Sequence, residues 1–206
     1  MAHYPYLIVG GGMTAAAAIQ GIRELDSSDA IGLIGREQHP PYQRPPLSKA
    51  LWKGKTLERI WIDVAQQGAD LHLGRKAHTL DVERKRVTDD NGTIYTFDKL
   101  LLATGGTPRH VDWGSDNIIY YRTLDDYQRL RALAERGQHF AVIGGGFIGS
   151  EIAAALAMNG KDVTLLFPGT GIGAHIFGPD LSAFLNEYYR QHNVEVLPGE
   201  TAVGLE

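Results

Sequence analysis

A short apolar run that leads straight into a glycine-rich turn occurs twice in these 206 residues, and that doubling restricts the fold more than any other feature. Tyr6-Leu7-Ile8-Val9 runs into Gly10-Gly11-Gly12-Met13-Thr14-Ala15, and Phe140-Ala141-Val142-Ile143 runs into Gly144-Gly145-Gly146-Phe147-Ile148-Gly149. In a strand–turn–helix of this kind the first glycine permits the bend and the second lets backbone approach a pyrophosphate. The third position must be small so that helix and strand can pack. Those positions are Gly10, Gly12 and Ala15 in one copy and Gly144, Gly146 and Gly149 in the other. The helix N-terminus behind each turn offers unpaired N–H groups and about half a positive charge to phosphate. One such turn is a weak signal. Two in the same context predict a chain that sets two dinucleotides against each other.

Composition narrows the chemistry. A net charge of −4 with acids and bases interspersed argues against a nucleic-acid-binding face. The basic cluster Arg84-Lys85-Arg86 belongs in a solvated hairpin. There is no cysteine, so these residues hold no disulfide, no thiolate metal site and no redox dithiol. The eight histidines show no metal-type spacing, and no metal ligand is assigned. No stretch approaches the ~18 apolar residues of a membrane span. The first apolar run feeds a glycine turn rather than a cleavage site, so the expected location is cytoplasmic.

Along the chain, the pattern predicts a strand at Tyr4–Val9, a helix at about Thr14–Leu25 and a strand at Ala30–Ile34. Four prolines within residues 40–46 forbid a regular element up to Pro46, which can begin a short helix to about Trp52. A short helical piece is expected near Trp61–Gln67. An antiparallel β-meander covering one face is then expected, from Asp70–Leu73, Ala77–Glu83, Arg86–Asp89 and Thr93–Phe97. Asp90-Asn91-Gly92 turns its last hairpin. Leu100-Leu101-Leu102-Ala103 reads as a buried strand, and residues 107–117 as a linker. The second unit reads helix 124–136, strand 140–143, helix to about Asn159, strand Val163–Phe167, helix Pro179–His192 and strand Val194–Leu197.

An acid commonly ends the second strand of such a unit and accepts hydrogen bonds from the adenosine ribose. Glu37, after Gly35-Arg36, is the candidate in the first unit. In the second, Leu166-Phe167-Pro168-Gly169 supplies neither an acid nor a following arginine, which leaves NADH against NADPH open.

Three further motifs carry a resemblance: Pro41-Tyr42-Gln43-Arg44-Pro45-Pro46-Leu47-Ser48-Lys49, Leu101-Leu102-Ala103-Thr104-Gly105-Gly106-Thr107-Pro108-Arg109, and Ile143-Gly144-Gly145-Gly146-Phe147-Ile148-Gly149-Ser150-Glu151. Together they resemble the flavoprotein pyridine-nucleotide oxidoreductases, in the branch of apoptosis-inducing factor and the ferredoxin reductases. The resemblance implies an α/β fold of two Rossmann-like units plus the β-meander, cut short at the C-terminus. Residues 1–113 would form an incomplete FAD-binding domain and residues 114–206 an NAD(P)-binding domain. It implies that Gly10, Gly12, Thr14, Ala15, Glu37, Arg44, Pro45, Lys49, Ala103, Thr104 and Gly105 bind FAD. Gly144, Gly146, Phe147, Ile148, Gly149 and Glu151 would bind NAD(P)H. Lys49 is expected near the flavin ring, paired to Glu151. Phe147 would either gate ring stacking or pack at a domain interface. The implied activity passes hydride from NAD(P)H to FAD and then electrons to an external acceptor: a small redox protein such as ferredoxin, a quinone or oxygen. The alternative is a nucleotide-responsive interaction protein of the apoptosis-inducing factor type, with incidental turnover. The full-length protein is open to homodimerisation.

Overall fold

The first strand alternates its side chains between two apolar layers, sending Ile8 to one and Leu7 and Val9 to the other. Strands buried on both faces belong in a parallel sheet covered on each side, and that is what the sequence builds here. The computed structural model describes residues 2–113 and 116–204. It divides into two units: Met1–Arg44 with Leu57–Thr107, and Pro45–Thr56 with Pro108–Glu206. Residues 114–115 of the expected linker lie outside the described residues.

In the first unit, β1 (Ala2–Val9), α1 (Met13–Leu25) and β2 (Ile31–Gly35) form the βαβ opening, paired in parallel from Tyr6↔Ile31 to Val9↔Ile34. Ala15, Ala16 and Ile19 of α1 pack on Ile8, Ile31 and Leu33. Beyond β2 come β3 (Ala69–Leu73), β4 (Ala77–Asp81), β5 (Arg86–Asp89) and β6 (Ile94–Leu102), in one sheet of order β3-β2-β1-β6-β5-β4.

Several expectations are corrected here. Asp70–Leu73 does not join the meander; as part of β3 it pairs in parallel with β2. The long connection from β2 permits that direction, and Leu71 and Leu73 thereby reach the α1 layer. The antiparallel strands β4 and β5 do not cover a face. They extend the same sheet, because β6 pairs with β1 on one side and β5 on the other. The expected strands at Thr93–Phe97 and Leu100–Ala103 are thus one continuous strand, Ile94–Leu102. Its last residues are not buried: Leu101 is 38% and Leu102 59% exposed, beyond the cover of either apolar layer. Trp61–Gln67 is not helical. Gln43 N–H donates to Ile60 O and Ile62 N–H to Pro41 O, so this stretch runs antiparallel to the proline-rich segment and then turns.

The second unit holds α2 (Leu124–Arg136), β7 (His139–Ile143), α3 (Phe147–Met158), β8 (Asp162–Phe167), α4 (Pro179–Gln191) and β9 (Val194–Pro198). Its three strands are parallel in the order β7-β8-β9. A capping box of Thr123 and Asp126 starts α2 and satisfies two otherwise unpaired N–H groups. Two short 3-10 turns, Pro45–Ser48 and Ala50–Lys53, pack within this unit. There the Trp52 indole donates to Leu47 O at 2.9 Å and meets Tyr127 edge-on, while Asn159 Nδ2 donates to Trp52 O at 3.3 Å.

Candidate nucleotide-binding turns

The turn after β1 and the turn after β7 share one backbone plan. Gly10 has φ +125° and Gly144 φ +120°, values that side chains disfavour. Gly10 N–H donates to Ile34 O and Gly144 N–H to Leu166 O, both at 2.8 Å, which ties each turn to the neighbouring strand. Gly12 and Gly146 are the N-caps of α1 and α3, and neither helix start has a side-chain cap. A Cβ built on Gly12 meets nothing within 4 Å, and one on Gly146 meets only the His175 ring at 3.8 Å. Each N-cap therefore leaves room for a group the size of a side chain next to a helix start that has no side-chain cap. This is the arrangement a pyrophosphate fits.

In the first unit, the end of β6 lies directly against this turn. Ala103 N–H donates to Val9 O at 2.8 Å, and the Ala103 carbonyl touches Gly10 so closely that a Cβ there would stand 2.0 Å away. Thr104 and Gly105 follow it, exposed, with Gly105 at φ +67°. Thr14 lies on the first turn of α1, exposed, and Ala15 is fully buried behind it. Glu37, just past β2, is held by two groups that the proline-rich segment brings back. Tyr42 Oη donates to Oε2 at 2.5 Å, and the Arg44 guanidinium pairs with Oε1. Arg44 also reaches Tyr42 Oη at 3.2 Å. Tyr42 is the member of this group that the sequence pattern alone does not single out.

In the second unit, Lys49 Nζ lies 3.1 Å from Glu151 Oε1. Ser48, 4% exposed, donates its hydroxyl to the other carboxylate oxygen at 2.6 Å. Each oxygen of Glu151 thus has its own donor, with the carboxylate half-buried and the ammonium more open. Pro45 opens the 3-10 turn that carries Ser48. Tyr189 of α4 donates to Ser150 O at 3.2 Å, and burial, reinforced by the charge of Glu151, pushes its pKa up. A cavity of about 160 Å³ opens beside this group, lined among others by Lys49, Trp52, Glu151, Met158 and Tyr189. Phe147 is 56% exposed and meets Phe177 edge-on, and Ile148 is 49% exposed. Gly149 has no room for a side chain, since a Cβ would lie 1.9 Å from Gly144 O. Among the described residues no cluster of acids and histidines could hold a metal ion. Nor, among the described residues, is any helix long and apolar enough to cross a membrane.

The chain is similar to several known proteins. The family described as pyridine nucleotide-disulphide oxidoreductase matches residues 4–206. The ferredoxin reductase subunit of 5,5'-dehydrodivanillate O-demethylase from Sphingobium sp. is 37% identical, over 95% of this chain and 50% of its own length. Apoptosis-inducing factor 1 of Dictyostelium discoideum is 33% identical, over 95% of this chain and 42% of its own. Putidaredoxin reductase, solved in a covalent complex with putidaredoxin, superposes with a TM-score of 0.92 at 31% identity, covering 100% of this chain and 52% of that one. The chain spans about half the length of the curated relatives it matches.

Proposed function

Because the chain belongs to the pyridine nucleotide-disulphide oxidoreductase family, we propose that it is part of a flavoprotein that takes hydride from NAD(P)H and delivers electrons to an external acceptor. The first unit takes FAD and the second NAD(P)H. One observation carries this reading: the two glycine turns repeat the same φ, the same tie to the second strand and the same uncapped helix start. Bound FAD supplies the hydride-accepting ring, and the protein supplies orientation and electrostatics. On the FAD side, Gly10, Gly12, Thr14 and Ala15 shape the phosphate cradle, with Ala103, Thr104 and Gly105 forming its flank. Glu37 accepts from the ribose, and its orientation is set by Tyr42 and Arg44. On the other side, Gly144, Gly146, Ile148 and Gly149 cradle the second pyrophosphate. Lys49 offers a fixed positive charge to the reducing end of the reaction, oriented by Glu151, and Phe147 shields the nicotinamide.

These residues contain no cysteine and so hold no dithiol to act as the next carrier. One of the compared proteins is a ferredoxin reductase subunit and another was solved joined to putidaredoxin, which supports a small iron–sulfur protein as acceptor. A cytoplasmic location is part of the same reading, and cell fractionation tests it.

Gly12→Val and Gly146→Val provide the main test, since a Cβ at either position meets no protein atom closer than 3.8 Å but would crowd a bound phosphate. Gly12→Val is expected to abolish FAD retention by the full protein and leave NADH binding intact. Gly146→Val is expected to do the reverse. Unchanged binding of both nucleotides in both variants would refute the assignment.

A further inference from the structure

The connection from β8 to α4 folds back over the second glycine turn. Gly173 N–H donates to Gly145 O at 2.8 Å, and the His175 ring lies next to Gly146. This connection carries Gly169, Gly171, Gly173 and Gly178, a composition that disfavours a single conformation when nothing holds it. Besides the bond to Gly145 and one from Gly199 N–H to Gly169 O at 2.9 Å, α4 holds it. Asn186, 6% exposed, accepts from Ile172 N–H at 3.0 Å and donates from Nδ2 to Thr170 O at 3.2 Å. One side chain thus satisfies a donor and an acceptor two residues apart. Ser182, one helical turn earlier and 2% exposed, forms the wall against which Gly171 lies. A Cβ on Gly171 would come within 2.7 Å of Ser182 Cβ, so only glycine lets the loop approach the helix this closely.

In this type of unit, the end of the second strand is where the adenosine ribose docks. Here residues 167–175 contain no carboxylate to grip the ribose hydroxyls. The polar groups this loop offers instead are its backbone, the Thr170 hydroxyl and the His175 ring, whose placement depends on the loop being ordered in advance. An ordered loop loses less entropy on binding than a mobile one.

We infer that Asn186 is a positioning residue for the ADP half of the dinucleotide on the second unit. It touches no part of the nucleotide and acts by holding residues 170–175 over the N-terminus of α3. The inference rests on the proposed assignment of NAD(P)H to this unit.

The test is titration of the 206-residue protein with ADP-ribose and with NADH, comparing wild type, Asn186→Ala and Val163→Ala. Val163 is buried at the far end of β8 and controls for a general loss of stability. Asn186→Ala is expected to weaken both ligands roughly tenfold, the scale of losing a buried pair of hydrogen bonds. It should also speed amide exchange at residues 170–175, while Val163→Ala leaves affinity unchanged. In the complete flavoprotein the same substitution should raise KM for NAD(P)H and leave kcat alone. Equal affinity of wild type and Asn186→Ala overturns the inference and leaves the functional assignment standing. Equal weakening by Val163→Ala also overturns it. Failure of wild type to bind either ligand overturns the assignment and the inference together.

Discussion

A methyl group on Gly10 would stand 2.0 Å from the Ala103 carbonyl oxygen, whereas one on Gly144 would meet nothing within 4 Å, although the two residues share nearly the same φ. The cause is the sheet. In the first unit β1 lies between β2 and β6, and the end of β6 crosses against the turn. In the second, β7 has only β8 beside it among the described residues. The third position reverses the contrast: Ala15 fits with its side chain fully buried, while Gly149 has the Gly144 carbonyl where a Cβ would go. In the first unit a neighbouring strand excludes the side chain. In the second, a close-set helix does. The same short motif is thus enforced by different neighbours.

Substitutions can break this comparison. The largest effect is expected for Gly149→Val. Both atoms in conflict are tied to backbone, so α3 must move off β7. The cost should be at or above the ~1–3 kcal/mol of ordinary overpacking. Urea unfolding followed by the buried Trp52 should show the second unit lost first, and an unchanged midpoint would refute the tight-helix account. Gly10→Ala comes next, because it combines an unfavourable φ with the Ala103 contact. Gly144→Ala suffers from φ alone, about 1–3 kcal/mol, and should be clearly milder. If the two prove equal, the strand-neighbour explanation is wrong. Ala15→Gly should cost about 1 kcal/mol, the ordinary helix penalty for glycine, without loss of fold.

The smallest effect concerns pH. His72 on β3 is half-buried, with Nε2 2.8 Å from Tyr4 Oη and its ring against Tyr95. Burial lowers its pKa and Arg75 adds to this, against the opposing pull of Asp70 and Asp89. The folded unit therefore resists a proton that the unfolded chain accepts near pH ~6.5. Its stability contribution is complete above that pH and declines as pH falls through the lowered folded value. Unfolding of the first unit, followed by Trp61, should grow easier from pH ~6.5 downward. Unfolding of the second unit over the same range, followed by Trp52, is the reference profile. His72→Gln should bring the two profiles together; persistence of the difference would assign it to other groups.

Much of the site was legible because it is local. The glycine turns, the helices behind them and the Asp90-Asn91-Gly92 hairpin follow from backbone requirements carried by a few adjacent residues. The Lys49–Glu151 pair came from resemblance, and the structure places its atoms 3.1 Å apart. Ser48 as the second donor to Glu151, and Tyr42 and Arg44 on Glu37, join residues whose proximity no periodicity encodes. Asn186 left no signal at all, since a buried asparagine on an amphipathic helix looks like any surface one.

The sequence by itself determined the two strand–turn–helix units and which of their turns need glycine, and that these residues hold no dithiol. The tertiary structure decided which strand lies beside which: that residues 69–73 run parallel to β2, and that a single strand serves both the parallel and the antiparallel half of the sheet. An alternating strand presents the same two faces to either partner. Only the layers competing to cover those faces select its neighbour and direction.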